Sequence, residues 1–221
     1  MEYPKINSLF KRTGMQSDGT FDLSMKIHPL ILGKHAAEEF GAIKTWRVDE
    51  KIDGTNIRIE YHADPQSLEF GGRTDNALIP AKLLNYLKAT FTIEKMDSLD
   101  ASHVMLFGEG YGPKIQACGS KYRDDQAFIL FDVVIGGWWL KREDVKAIAD
   151  KLDIPMVPDL GIMTEDEVME YIKSMPLSKV SKELLQIEGV VCRSEPLMLF
   201  RNGKPIMWKL KCKDIKQMNV C

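Results

Sequence analysis

Apolar and polar positions alternate most regularly between residues 46 and 61. Trp46 and Val48 alternate with polar neighbours up to Lys51, and beyond Asp53-Gly54 the apolar Ile57, Ile59 and Tyr61 alternate with Asn56, Arg58 and Glu60. Two period-two runs joined by Asp-Gly predict a β-hairpin with a tight turn, which puts Lys51 at a strand end. Further strands are predicted at 67–70, 104–107, 127–135, 187–193 and 205–211. The run 127–135 is the most apolar, broken only by Asp132 and closed by Gly136-Gly137. The spacing of Leu83, Leu84, Leu87 and Phe91 predicts a helix over 81–91, and a second amphipathic helix is expected over 142–152, stopped near Pro155. Thr164 with Glu167 three positions on matches a capping box and starts a third. Residues 1–45, punctuated by Gly14, Gly19, Pro29 and Gly33, read as an irregular, partly helical lead-in. Strands grouped as hairpins with intervening helices imply an α+β fold with antiparallel sheets flanked by helices, as a single domain over 1–221.

Composition changes this picture little. With 44% hydrophobic and 28% charged residues over 221 positions, the chain is an ordinary globular protein long enough to bury a core. No apolar segment near the N-terminus resembles a secretory signal, and the longest apolar stretches (105–111 and 127–140) are too short or too interrupted to span a membrane. Cys118, Cys192, Cys212 and Cys221 form no C-x-x-C pair and have no histidine partner at metal spacing. They read as reduced thiols, which points to the cytoplasm, or to an infected cell's cytoplasm for a viral source. His28, His35, His62 and His103 are scattered and carry no role in this reading. The net charge of −2 argues against a general polyanion binder. Residues 201–216 nonetheless hold Arg201, Lys204, Lys209, Lys211, Lys213 and Lys216 against one acid, Asp214. Interleaved with Ile206, Trp208 and Leu210, this run predicts a strand with one cationic face.

The candidate chemistry starts at Lys51. A lysine is nucleophilic only when neutral, and at an ordinary pKa of about 10.4 roughly one in a thousand is neutral at pH 7. Burial and nearby cations lower that value. Lys209 and Lys211, two residues apart on one strand face, could supply those cations and also meet a triphosphate. Gly72-Arg73 offers a fixed cation beside glycines that permit close approach to a phosphate. Glu109, between glycines at the end of a buried strand, and Glu188, at the start of an apolar one, could bind ribose hydroxyls or a hydrated Mg2+. Taken singly, each has a plainer reading: Lys51 as a solvated strand lysine, Glu109 and Glu188 as surface acids, Lys209 and Lys211 as edge-strand charges. No G-x-x-x-x-G-K-[ST] loop is present, so ATP would not be held by a P-loop.

In order along the chain stand E-K-I-D-G-T-N (50–56), G-G-R-T-D-N (71–76), F-G-E-G-Y-G (107–112), F-I-L-F-D-V (128–133), E-G-V-V (188–191) and W-K-L-K (208–211). This series resembles the covalent nucleotidyltransferases, the superfamily of ATP-dependent ligases and mRNA capping enzymes. The T-N after D-G and the opening Y-P-K-I-N-S-L-F-K (3–11) are most similar to RNA ligases of the T4 RNA ligase 2 type. The resemblance implies the ligase/capping-enzyme nucleotidyltransferase fold and an ATP-dependent RNA ligase, with ATP and Mg2+ (Mn2+ as an alternative) as cofactors. Lys51 would attack the α-phosphate of ATP to form lysyl-AMP, AMP would pass to an RNA 5′-phosphate, and a 3′-hydroxyl would displace it, in RNA repair.

The same resemblance implies the site. Lys209 and Lys211 would act on the α-phosphate, and Glu188 would be the metal-linked carboxylate. Glu50 would read the adenine amino group, Phe131 would pack on the base, Glu109 would contact ribose and Arg73 a phosphate. Asn56 would lie near the RNA end, and Asp53 and Gly54 would be structural. Only ten residues follow Lys211, so no OB-fold or helical C-terminal domain is expected. RNA, as a nicked duplex or broken strand, would be the substrate, a partner protein would supply the absent domain, and Lys213 and Lys216 would carry more phosphate binding. The rival readings are a small ATP-dependent DNA nick ligase and a non-catalytic nucleic-acid-binding module of the same fold.

Overall fold

The computed structural model describes residues 1–14, 20, 22 and 28–218, the side chains of 217 and 218 apart. In chain order the first elements are β1 (Asn7–Ser8), β2 (Phe10–Arg12), β3 (Leu30–His35), α1 (Glu38–Ala42), β4 (Trp46–Lys51), β5 (Thr55–Ala63) and β6 (Gln66–Gly72). Next come α2 (Ala81–Thr90), α3 (Ile93–Asp97), β7 (His103–Tyr111), α4 (Gly119–Tyr122), β8 (Ala127–Ile135), β9 (Trp138–Trp139) and α5 (Arg142–Lys151). The chain closes with β10 (Asp159–Met163), α6 (Glu165–Lys173), β11 (Gly189–Ser194), β12 (Met207–Lys211) and α7 (Cys212–Met218). These elements form two compact units. Unit one comprises Met1–Pro4, Ile52–Pro158 and Lys179–Leu185, and unit two comprises Lys5–Lys51, Asp159–Ser178 and Gln186–Cys221.

Unit one is an antiparallel sheet in the order β6-β5-β7-β8-β9. The period-two pattern sends Ile57, Ile59 and Tyr61 of β5 to one face, where they are buried with Leu106 of β7 and Phe128 and Leu130 of β8. Helix α2 covers that face with Leu83 and Leu87, and α5 adds Val145 and Ala149. Phe91 closes α2 edge-on against Phe128, ring centroids 5.4 Å apart. On the other face Tyr3 packs among Phe107, Phe131 and Trp139. Its hydroxyl donates to Asp132, which explains the one polar break in the most apolar strand: a buried carboxylate is tolerated where a donor meets it.

Unit two holds a sheet in the order β1-β12-β11-β4-β10, antiparallel except for the parallel β1–β12 pair, and a separate β2–β3 ribbon. One face carries Trp46 and Val48 of β4, Val190 and Cys192 of β11, and Trp208 and Leu210 of β12. Trp46 and Trp208 meet edge-on at 5.3 Å. Val168 and Ile172 of α6, Phe40 of α1 and Ile215 of α7 belong to the same core.

Four sequence expectations need correction. Residues 46–61 are not a hairpin: β4 pairs with β10 and β11, whereas β5 pairs with β6 and β7. Gly54 is needed for space, since a Cβ there would meet the Gly110 carbonyl oxygen at 2.3 Å and Glu109 Cγ at 2.8 Å. The lead-in contributes three strands, of which β1 and β2 are too short for periodicity to show and β3, Leu-Ile-Leu-Gly-Lys-His, has none. The strand expected at 104–107 continues through Tyr111, because its glycines let β8 approach: a Cβ on Gly108 would lie 2.4 Å from the Ile129 carbonyl. The basic run leaves the sheet after Lys211, so Lys213 and Lys216 lie on α7.

Cys118, Cys192 and Cys212 carry free thiols, and Gly19 and Cys221 lie outside the described residues. No helix among those residues is long and apolar enough to cross a membrane.

The capping box is fully formed, with Thr164 Oγ1 accepting from the Glu167 N–H and the Glu167 carboxylate accepting from the Thr164 N–H. Thr164→Ala should therefore destabilise the protein by about 1 kcal/mol, read as a lower urea midpoint at unchanged slope.

Candidate active site

Strand register assembles the charged face of unit two. Gly189 at the start of β11 is the cross-strand partner of both Lys51 on β4 and Lys211 on β12. Residues opposite one another across antiparallel strands share a face, so the two lysines flank the glycine on the side away from the Trp46–Trp208 core. A side chain at 189 is impossible without moving backbone, as a Cβ would come within 2.1 Å of the Leu210 carbonyl oxygen. Glu188 precedes this glycine, and its carbonyl accepts from the Cys212 N–H at 3.0 Å, which pins it at the strand mouth.

The Glu188 carboxylate is shared. Lys51 Nζ donates to its Oε2 at 2.6 Å, and Lys211 Nζ lies 2.5 Å from Oε1. Burial alone would raise this carboxyl, but Lys51 and Lys211 outweigh it and hold it below its ordinary value. Its contribution to stability is therefore present above the normal carboxylate range and is lost as pH falls through the lowered value.

Lys209 stands two residues from Lys211 on the same face, opposite Val191, and makes no ion pair among the described residues. Burial first, then Lys211 and Lys51, press its ammonium down to about 8, with Arg12 adding to them and Glu188 opposing. Arg12 is itself compensated, donating to both oxygens of the buried Asp214 at 3.0 Å and to Ser8 Oγ at 3.2 Å. Among these six groups four cations face two carboxylates, a net charge of +2 for the set. Deeper on the same face the buried Asp49 and Arg193 form their own ion pair.

Glu50 is placed differently. It is next to Lys51 in sequence and so points to the opposite face of β4, where it is 1% exposed and accepts a hydrogen bond from Ser178. Its carboxylate belongs to the core side and does not share the lysine face.

The remaining sequence candidates stand on unit one. Asn56 and Glu109 are direct partners across β5 and β7, both half-buried, and Asn56 Oδ1 is buried with no hydrogen-bond partner among the described residues. Phe131 is half-buried on β8, packed with Ile129 and edge-on to Tyr3, on the face opposite Phe128 and Leu130. Arg73 follows β6 and is exposed. The structure thus groups Lys51, Glu188, Lys209 and Lys211 on one face of unit two and pairs Asn56 with Glu109 within unit one. Sequence reasoning missed Arg12, Ser8 and Asp214. The one signal for them was Asp214 as the lone acid of a basic run, which marks a buried ion pair better than a solvated face.

An antiparallel α+β chain with a lysine, a shared glutamate and two further lysines on one strand face defines a nucleotidyltransferase-type domain. An RNA ligase family model matches residues 44–211, running through both units, and the chain belongs to the RNA ligase family. Among solved structures it is similar to an RNA ligase of Naegleria gruberi. The form with pyrophosphate gives a TM-score of 0.60 at 20% identity, over 80% of this chain and 52% of that one. A mutant of the same ligase with ATP and Mn gives 0.62 at 18% identity, over 100% of this chain and 64% of that one. A further mutant with AMP and Mn gives 0.62 at 18%, over 98% and 63%. At these identities the likeness shows a shared fold, and the chain spans about half to two thirds of that ligase's length. A comparison with curated proteins gives no match.

Glu188 is the one carboxylate that supports the charged form of Lys209. Glu188→Gln should therefore move the Lys209 amine below about 8, the direction set by removing an opposite charge. NMR titration of carbon-13 methylated lysines reads this directly, and an unmoved or raised Lys209 would contradict the arrangement.

Proposed function

We propose that this chain is the adenylyltransferase domain of an ATP- and divalent-cation-dependent RNA ligase that works through a lysyl-AMP intermediate on Lys51. The observation that carries the proposal is the row Lys51–Gly189–Lys211, with the Glu188 carboxylate held between the two amines. Membership of the RNA ligase family and the bound ATP, AMP, pyrophosphate and Mn of the Naegleria gruberi structures support the choice of nucleotide and metal.

The chemistry follows from the charges. A net positive charge on a partly buried strand face suits an anion, and a triphosphate would meet it through Lys209 and Lys211. Glu188 as found is paired with Lys51 at 2.6 Å, and a carboxylate held below its ordinary value is a poor base. Reaction requires Glu188 to be drawn off Lys51. The Lys51 amine, left beside Lys209 and Lys211 without its counter-ion, gives its proton to solvent. Its nitrogen then bonds to the α-phosphorus as the bond to the bridging oxygen of the β-phosphate breaks; pyrophosphate leaves with that electron pair, and the nitrogen sheds a second proton to solvent to leave a neutral lysyl-AMP nitrogen. Lys211 and Lys209 stabilise the charge building on the α-phosphate oxygens.

A lone carboxylate among amines fits Mg2+ or Mn2+, which keep most of their waters and take the rest of their ligands from phosphates. Glu188 would hold the cation, which supplies charge neutralisation to the triphosphate. In the following steps an RNA 5′-phosphate takes AMP from Lys51 and a 3′-hydroxyl displaces it, sealing a broken strand in RNA repair. Glu109, Arg73 and Phe131 are proposed nucleotide contacts and Asn56 an RNA-end contact on the strength of the motif series. Glu50, whose carboxylate faces the core, would contribute to base recognition only through its backbone. A partner protein that completes the sealing machinery, and a cytoplasmic setting, belong to the same proposal.

Incubation with ATP labelled at the α-phosphate and Mg2+ should label the wild type and leave Lys51→Ala unlabelled. Lys209→Ala and Lys211→Ala should each lower the labelling rate by on the order of 100-fold, the scale for losing one group that stabilises developing charge. An unlabelled wild type refutes the lysyl-AMP step. Equal sealing of nicks with RNA or DNA at the 3′-hydroxyl end refutes the RNA preference.

A further inference from the structure

The face of unit one away from its core holds a cluster that the ligase reading does not use. Glu60 and His62 lie two residues apart on β5 and so share a face, and His62 is the direct cross-strand partner of His103, the first residue of β7. The two imidazoles stack at 4.2 Å with an interplanar angle of 8°. Both turn Nε2 toward one atom: His103 Nε2 lies 3.1 Å and His62 Nε2 3.5 Å from Glu60 Oε1. The neighbouring cations, Arg58 Nε and the terminal amine of Met1, each approach the other oxygen, Oε2, at 3.9 Å. Arg58 is drawn away from the cluster by Asp75, which it meets at 2.7 Å. Oε1 is therefore left to the two histidines.

We propose that Glu60, His62 and His103 form a binding site for one divalent cation of the Zn2+ class, separate from the charged face of unit two. The three donor atoms lie within 4.8 Å of one another. Around a zinc ion, with bonds of about 2.0–2.2 Å, tetrahedral ligands stand roughly 3.3–3.5 Å apart. The two nitrogen-to-oxygen separations, 3.1 and 3.5 Å, bracket that spacing, and a turn of the stacked rings about their side-chain bonds would aim both Nε2 atoms at one ion. Two imidazole nitrogens and one carboxylate oxygen select Zn2+, Co2+, Ni2+ or Cu2+ over Mg2+ and Ca2+, which prefer oxygen alone. At 41% and 31% exposure the histidines are reachable from solvent, and a water would complete the coordination. Bound there, the ion ties the end of β5 to the start of β7. Six residues along β5, at about 3.3 Å each, separate His62 from Asn56, so the ion would not enter the proposed chemistry.

The test is calorimetric titration of the full chain with ZnCl2 in excess Mg2+, on a Cys118→Ser, Cys221→Ser background that removes the partly exposed thiol and the C-terminal one. One Zn2+ should bind per chain, and its melting temperature should rise with added Zn2+. His62→Gln and His103→Gln should each weaken binding by on the order of 100-fold or more, since even outer partners of metal ligands are worth about 10–100-fold. Glu188→Ala should leave it unchanged, which separates this site from the proposed catalytic metal. Absence of Zn2+ binding, or binding untouched by both histidine variants, overturns the proposal. Should a variant not fold, the wild type decides alone: Zn2+ must protect His62 and His103 from diethyl pyrocarbonate, and equal labelling with and without Zn2+ refutes the site.

Discussion

The sharing of one carboxylate by two lysines from strands 160 residues apart is the interaction on which the charged face of unit two depends. Glu188 reaches Lys51 with one oxygen and Lys211 with the other. Neither contact comes from local sequence. Both come from the register of β4, β11 and β12 around Gly189, a position where any side chain would collide with backbone. The glycine thus sets the spacing, and the glutamate before it fills the gap between the amines. Removing the carboxylate would leave three ammonium groups on two strands that flank β11, a repulsion that partly buried surroundings screen poorly.

That arrangement also bears on Lys209. Lys51 and Lys211 both hold Glu188, whereas Lys209, on the same face, holds no carboxylate, and it is Lys209 that falls to about 8. At pH 7 about one in ten such groups is neutral, compared with roughly one in a thousand at the ordinary value. The sequence places the depressed amine at Lys51. The structure sets Lys209 two strands from Lys51, across β11, and it is there that burial and the neighbouring cations lower an amine.

What could be read from the sequence divides by range. Period-two burial in β5, helical spacing in α2 and α5 and the Thr164 cap were legible because each is decided within a few residues. The motif series identified Lys51, Glu188, Lys209 and Lys211 as a group. The pairing of β4 was not legible: Asp-Gly between alternating runs signals a hairpin, yet β4 and β5 find their partners in different sheets. Local turn chemistry cannot distinguish a glycine that turns from one that makes room, and Gly54 makes room. The Arg12–Asp214 pair was hidden for the same reason, since its partners are 202 residues apart and neither belongs to a recognisable pattern. His62 and His103 looked scattered because 41 residues separate two positions that the sheet sets side by side.

Strand β4 shows why the motif around Lys51 is intolerant of shift. Its core side carries Trp46, Val48 and the buried Glu50 held by Ser178, and its other side carries Asp49, paired with Arg193, and Lys51. Sliding β4 by one residue against β11 would move Lys51 into the tryptophan core and turn Trp46 and Val48 outward. It would also leave the Asp49–Arg193 pair broken, and a buried charge without its partner costs several kcal/mol. The buried ion pair is therefore better understood as a lock on register than as a source of stability. It acts two residues from Lys51, where an error of one residue would remove the amine from Glu188 altogether.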